Sequence, residues 1–445
     1  MPKSVRPPSP KGKFITGNLN EFYKNQLEFL SRCAREYGDI TQLRFFHVPV
    51  YLLNNPDDIE YVMTNNTDFI KPKSIRMPFQ KRIFGNGILA SDGNEWLANR
   101  RLIQKVFQNS FMEDYAGNVV DLTESLTAEW QEGETIEIYQ QLKTLTLKIA
   151  IKSFFGEGSL TQSCRLENLL NSLVEQLAVQ GRTSWVYHNF FPTKLNTRFL
   201  EAAKQLDEFI YEMIQRERKG NVISNNLLSK LIEASNKEGI KLTDKQIRDE
   251  VITLIMASYD TTAIVLSWAF YLLAKHPEIE ENLSSEITSV LGRRMPQLSD
   301  FNSLRYAQMI IKESMRLYPP NRSVGRESLK SCQIRGYKIP AKSQILMSQW
   351  IVHRDERFFA FPNDFKPGRW TDDFSRKLHK YAYFPFGGGQ RICVGRHFAM
   401  IEITLILVVI LGRFKFLLVA EQVIEPHPVI LLRPRFGIKV NVKKR

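Results

Sequence analysis

The residues best placed to do chemistry lie at 384–395, which read F-P-F-G-G-G-Q-R-I-C-V-G. A cysteine sits among glycines, an arginine stands two positions before it, and a long apolar run follows. Glycines let a backbone pass close to something flat and bulky. The arginine can pair with an anion. A cysteine near a helix N-terminus is biased toward thiolate by the helix dipole and the free amides. A thiolate is one of the few protein ligands for haem iron, where it pushes electron density toward O–O cleavage. Taken alone, the stretch also reads as a glycine loop with one buried cysteine.

Three further groupings carry chemical residue types. Ala257-Ser258-Tyr259-Asp260-Thr261-Thr262 puts an acid and alcohols in the middle of an apolar helix, which is costly unless they have a task. Glu313-x-x-Arg316 places opposite charges on one helix face. Trp96-x-x-x-Arg100 does the same for an indole and a guanidinium, and without context reads as a cation–π pair.

Phe386-x-x-Gly389-x-Arg391-x-Cys393-x-Gly395 resembles the haem-binding loop of cytochrome P450 monooxygenases. Chance would supply those five residues with a probability on the order of 10⁻⁴. The resemblance extends over the whole chain and implies a mainly α fold with small β-sheets. It implies one large domain over 1–445, with helix-rich and β-rich lobes and an extended lead-in at 1–13. It makes Cys393 the iron ligand, with Phe386 beside the sulfur and Arg391 on a haem propionate. Trp96 and Arg100 are implied to reach a propionate, as is Arg326 after the Pro319-Pro320 turn. Glu313 and Arg316 look like the family's structural pair. Phe365-x-Pro367-Gly368-Arg369-Trp370 looks like the segment that adds Arg369, although Gly368 stands where many relatives carry glutamate.

The same resemblance gives Asp260 and Thr261 the catalytic handling of protons for bound dioxygen. Ser258 replaces a glycine of the family pattern, and is expected to narrow the oxygen groove and add a hydroxyl. Ala257 stands where some fatty-acid hydroxylases carry the glutamate that links haem covalently. The implied cofactor is therefore haem b, non-covalent apart from the Cys393–iron bond. The implied activity is insertion of one oxygen atom of O2 into a lipophilic substrate. A peroxide-driven hydroxylase is the alternative, and Asp260-Thr261 argues against it. A non-enzymatic haem sensor is a further one.

These groups need a scaffold, and the apolar spacing predicts one. Helices are expected over 27–37, 56–64, 95–107, 118–130, 142–154, 166–180, 197–218, 226–234, 244–275, 277–291 and 300–317. Strands are expected over 41–53, 333–339 and 344–347, with a C-terminal β pair after one more long helix. Residues 75–89 show no clean period and read as a long functional loop. That loop, residues 181–195, the distal helix and residues 318–325 are expected to line the pocket. The candidate lining side chains are Phe79, Ile88, Ile255, Ala257, Ser258, Val265 and Val324, mostly apolar as a lipophile requires. Arg76, Lys81 and Arg82 could meet a carboxylate, which mildly favours a fatty acid over an alkane or terpene, and a solvated loop face explains them equally well.

Composition excludes the remaining classes. The 445 residues hold 61 basic and 47 acidic side chains, a net charge of +14, with 43% hydrophobic residues. That is a globular composition with no interior linker or repeat. Four cysteines without a C-x-x-C pair support neither a disulfide scaffold nor a zinc ribbon. Apart from Cys393 they are expected to be buried. The apolar runs at 251–274 and 399–419 carry charges, which favours buried helices over membrane spans. No secretory signal is visible, so the cytoplasm, or the periphery of a membrane, is expected. The basic residues show no nucleic-acid-binding pattern. Arg100, Arg101, Lys105, Arg376, Lys377, Lys380 and Arg396 are expected to steer an acidic ferredoxin or flavodoxin, supplied by its own reductase.

Overall fold

The computed structural model describes residues 6–72, 78–107, 109–180, 194–220, 225–237 and 242–445. The chain forms two compact units. The first comprises Met1–Ile75, Lys312–Cys393 and Pro426–Arg433. The second comprises Arg76–Ile311, Val394–Glu425 and Pro434–Arg445.

The first unit is built on a five-stranded sheet. Strands Ile40–Phe45 and Val48–Leu53 form the expected hairpin. Gln344–Met347 adds in parallel, Val324–Ser328 pairs antiparallel with it, and Phe69–Ile70 closes the order. One face of the sheet carries an apolar cluster that includes Ile40, Tyr51, Leu53, Ile345 and Met347. Helix Pro56–Thr64 packs into that cluster through Ile59, Val62 and Met63. It begins where predicted because Pro56 suits the first turn and the Asn55 side chain accepts the Asp57 N–H at 3.0 Å. Residues 333–339 prove to be a hairpin of Cys332–Ile334 and Tyr337–Ile339, turned by Arg335 and Gly336 in positive φ.

The second unit is mainly helical. Its axis is helix Asp244–Lys275, opened by a capping box between Thr243 and Gln246. Helices Ile138–Phe155 and Arg396–Leu411 pack against it. Nearly every residue from Ile401 to Leu411 is buried, so this apolar run is a core helix, as expected. Asp244–Lys275 is long and apolar enough to cross a membrane, yet most of it is buried inside the protein. Strands Phe414–Leu418 and Lys439–Lys444 form the C-terminal pair, and Thr135–Glu137 adds to its edge.

Three expectations need correction. The 75–89 loop contains helix Pro78–Phe84, whose C-terminal carbonyls at Arg82 and Ile83 are taken by the Arg248 guanidinium. The helix expected over 300–317 is a 3-10 turn, Leu298–Asn302, followed by helix Arg305–Leu317. Glu286 starts the second piece by accepting the Tyr306 and Ala307 N–H groups. Helix Asn109–Ala128 begins well before the expected residue 118. In the first two cases the deciding group is distant in sequence, beyond the reach of local periodicity.

Candidate functional site

In the first unit Cys393 is exposed, and its N–H donates to Phe386 O at 2.9 Å. That bond ties the two ends of the cysteine loop together. Two of its glycines have a task that the sequence does not show. A Cβ on Gly389, at φ +64°, would lie 1.9 Å from Met63 O, and one on Gly388 would lie 2.3 Å from the Tyr381 ring. These two glycines let the loop press onto its own chain. His353 anchors the start of the loop: it is buried, and its Nε2 accepts the Phe384 N–H at 2.9 Å. Burial, reinforced by Arg316 and Arg354, pushes its pKa well below the usual histidine range, so it is a neutral acceptor.

Glu313, Arg316 and Arg369 come together as the resemblance implies. Glu313 Oε1 accepts from Arg316 Nη2 (2.8 Å), Arg369 Nε (2.9 Å) and the Lys366 N–H (3.0 Å). Its Oε2 accepts from Arg316 Nε and Trp370 Nε1, both at 2.9 Å. The two guanidiniums then bind carbonyls: Arg316 takes His353, Pro362 and Asp364, and Arg369 takes Ala360 and Phe361. One carboxylate thus fixes the segment from His353 to Trp370. Trp370 and the Lys366 amide were not expected as its partners. The adjacency of Trp370 to Arg369 was the only available signal.

Arg326 tests whether haem suits this unit. Its side chain is buried and, among the described residues, hydrogen-bonds Gly325 O (2.9 Å) and the Met63 sulfur (3.7 Å). Burial, with Arg391 nearby, lowers its pKa to about 10, so it stays charged near neutral pH. Among the described residues no carboxylate pairs with it. A buried guanidinium beside a second one is stable only with an anion supplied. A haem propionate is such an anion, and the exposed Cys393 sulfur is a suitable iron ligand.

In the second unit, helix Asp244–Lys275 runs unbroken through 257–262. It is buried along most of its length, but Ala257 is exposed and Met256, Ser258 and Thr261 are partly so. A window of small residues on a buried helix is where a ligand can come close. Thr261 Oγ1 donates to Ala257 O at 2.8 Å, with Ser258 O 3.3 Å away. Ser258 Oγ donates to Ile255 O at 3.1 Å, so both hydroxyls of the window rest on helix carbonyls. Asp260 points elsewhere. It is buried, and its Oδ1 accepts the Tyr139 hydroxyl at 2.7 Å. Nothing in the local sequence pairs Tyr139 with Asp260. Trp96 is buried, and the Arg100 guanidinium lies over its ring at 5.6 Å.

Next to Thr261, Thr262 Oγ1 donates to the buried Glu402 at 3.3 Å, and the Tyr115 hydroxyl donates to the same oxygen at 2.8 Å. Burial raises the Glu402 carboxyl to about 7, against which these two donors pull down. In sequence Glu402 is one of the charges in the 399–419 run, with no signal of a partner. The pocket candidates divide. Ile88 is half-buried, while Ile255 and Val265 are core residues of the second unit. Val324 packs on the apolar cluster of the first. The Phe79 side chain, Arg76 and residues 181–193 lie outside the described residues. Arg82 is paired with Asp207 at 2.9 Å, a carboxylate that Arg248 also engages. Among the other cysteines, Cys33 is buried, with its thiol pushed up to about 12 by desolvation. Contrary to expectation, Cys164 is exposed and Cys332 only half-buried.

Known proteins are similar to this chain along nearly its whole length. The Cytochrome P450 family model matches residues 7–442. Cyclooctatin synthase from Streptomyces melanosporofaciens is 30% identical over 432 residues, 95% of this chain and 93% of its own. Pentalenene oxygenase from Streptomyces avermitilis is 27% identical over 415 residues, covering 93% and 91%. The solved structure of retinoic acid bound cyanobacterial CYP120A1 superposes with a TM-score of 0.88 at 21% identity, over 100% of both chains. A family match running almost end to end, on a chain whose cysteine loop already offers the donors haem needs, makes this protein a cytochrome P450, a haem-thiolate monooxygenase.

Proposed function

We propose that this monooxygenase hydroxylates a cyclic terpenoid, with electrons from a separate ferredoxin or flavodoxin. The observation that carries the substrate class is the accessible window at Ala257, Ser258 and Thr261, whose small side chains suit close approach of a bulky hydrocarbon; the Arg82–Asp207 pair agrees with it by engaging one of the cations that would favour a fatty-acid carboxylate. Two relatives lend support by name. One is the pentalenene oxygenase, and the other is a cyclooctat-9-en-7-ol 5-monooxygenase from Streptomyces melanosporofaciens, 28% identical over 403 residues. Cys393 is assigned as the iron ligand, and Arg391 and Arg326 as propionate partners. Phe386 keeps its place beside the sulfur, and Trp96 and Arg100 keep the propionate role that the resemblance implies. The whole chain, 1–445, is taken as one haem domain.

Haem bound in this way supplies the activation of dioxygen. The protein's part is to place the substrate and to manage protons. Thr261 presents a hydroxyl at the accessible window of the helix, one residue from Asp260. Asp260 holds a proton-accepting carboxylate against the Tyr139 hydroxyl, a pair able to pass a proton inward. Exposed basic side chains in each unit, among them Arg101 and Lys105 in one and Arg376 and Lys380 in the other, suit an acidic electron donor.

Turnover of the reconstituted holoprotein under ¹⁸O2 tests the reading. A cyclic terpenoid should gain one labelled oxygen, faster than C12–C18 fatty acids do. Faster oxidation of the fatty acids would sink the terpenoid assignment. Reduction that does not slow with rising salt would sink the charge-steered partner.

A further inference from the structure

The second unit holds a buried acid with an unused oxygen, which the proton-handling residues do not explain. Glu250 lies in the second turn of helix Asp244–Lys275 and is only 3% exposed. Its Oε2 accepts the Ile88 N–H at 3.0 Å. Its Oε1 is buried and has no hydrogen-bond partner among the described residues. The neighbouring Asp249 takes the Asn86 N–H at 2.9 Å, so two successive carboxyls clamp the 86–88 segment onto the helix. The approach is close: a Cβ on Gly87 would lie 2.3 Å from Thr253 Oγ1. Asp249 is neutralised by Lys245 and Arg248, whereas no cation faces Glu250 among the described residues. Burial, with Asp249 and Glu95 adding repulsion, raises the Glu250 carboxyl to about 8. Near neutral pH it is therefore a neutral acid. With Oε2 already accepting, its proton belongs on Oε1, which leaves a buried O–H donor without an acceptor.

Position gives this donor a direction. Residues 250, 257 and 261 stand at i, i+7 and i+11, one stripe on a helix of 3.6 residues per turn. Ala257 and Thr261 are the accessible small residues of that stripe. At 1.5 Å per residue, Glu250 lies about 10 Å from Ala257 and about 16 Å from Thr261 along the axis. Ile88, which Glu250 holds in place, is half-buried, and the adjacent Leu89 is exposed. A buried polar group left unpaired is tolerated where a ligand completes it, and such sites reject analogues that lack the matching group.

We propose that Glu250 is a specificity-determining residue whose carboxyl binds a hydroxyl or carbonyl oxygen at the end of the substrate remote from the oxidised carbon. The substrate is then a lipophile that already carries oxygen, and an earlier hydroxylation or ketone-forming step must supply it. This deepens the terpenoid reading and rests on it.

The test is equilibrium binding to the holoprotein, followed by the substrate-induced shift of the Soret band. The probes are a matched cyclic C20 pair, abietadienol and the hydrocarbon abietadiene. Wild type should bind the alcohol roughly ten- to a hundredfold more tightly, the range for one hydrogen bond to a buried group. Glu250→Gln should keep most of that preference, because an amide still donates while its oxygen keeps the Ile88 N–H. Glu250→Met should abolish the preference by weakening the alcohol alone. The CO-bound reduced spectrum of each variant confirms that it is folded and loaded. Equal binding of both probes by wild type, or equal weakening of both in Glu250→Met, overturns the role of Glu250 and leaves the terpenoid reading standing. Binding of neither probe, together with tight binding of a fatty acid, overturns both.

Discussion

Three buried glutamates in the two units are held in contrasting ways. Glu313, in the first unit, meets two guanidiniums, an indole N–H and a backbone amide. Glu402, in the second, meets two hydroxyls, and Glu250 meets one amide. Cations compensate the first carboxylate, so it can serve as a permanent tie under the cysteine loop. Among the described residues the other two meet no cation, and burial drives them toward the neutral form, to about 7 and about 8. The lesson is that the kind of donor, more than the depth of burial, decides whether a buried acid is a fixed strut or a titratable group.

The largest expected effect follows from taking the charge out of the strut. Glu313→Gln leaves Arg316 and Arg369 buried without their anion, which should cost about 3–5 kcal/mol. Urea denaturation and the yield of haem-loaded protein would show it. A loss under about 1 kcal/mol would mean that hydrogen-bond number, and not charge, matters there.

The titratable pair predicts a pH dependence of the opposite kind. Both acids hold their protons to higher pH folded than unfolded, where the ordinary value is 4.5. Their contribution is therefore complete below about pH 4.5, and it is lost as pH rises through about 7 and then about 8. The decline should be on the order of a few kcal/mol, and the double variant Glu250→Gln, Glu402→Gln should flatten it. Denaturation midpoints from pH 5 to 9 would settle the point, and an unchanged slope in the double variant would refute it.

Tyr115→Phe removes one of the two hydroxyls on Glu402 and should cost about 1 kcal/mol at pH 6, with more lost at pH 8. A loss independent of pH would indicate packing alone. The smallest effect on stability belongs to Tyr139→Phe, about 0.5 kcal/mol. Its signature is kinetic: less product per electron consumed and an altered solvent isotope effect, because Asp260 loses its hydroxyl partner. Unchanged values of both would remove Tyr139 from the proton path.

Much of the scaffold could be read from local pattern. The 244–275 helix has its observed bounds because its capping box and terminal proline are local signals. The break between Asn302 and Arg305 could not be read in this way, since Glu286 supplies the cap from another helix. Helix Pro78–Phe84 escaped notice because Arg248 takes its final carbonyls. The site divides along the same line. The cysteine loop and the Glu313–Arg316 spacing are compact motifs, each visible within one loop or one helical turn.

By itself the sequence determined the chemistry: a thiolate donor among glycines, an acid–alcohol pair in an apolar helix and a family pattern that joins them. Tertiary structure alone decided the protonation states and partners of the buried acids. Tyr139 reaches Asp260 from 121 residues away, and Tyr115 reaches Glu402 from 287. The physical reason is range. Spacing along a helix or loop says which side chains share a face, whereas desolvation and donor count depend on packing between segments that no local pattern relates.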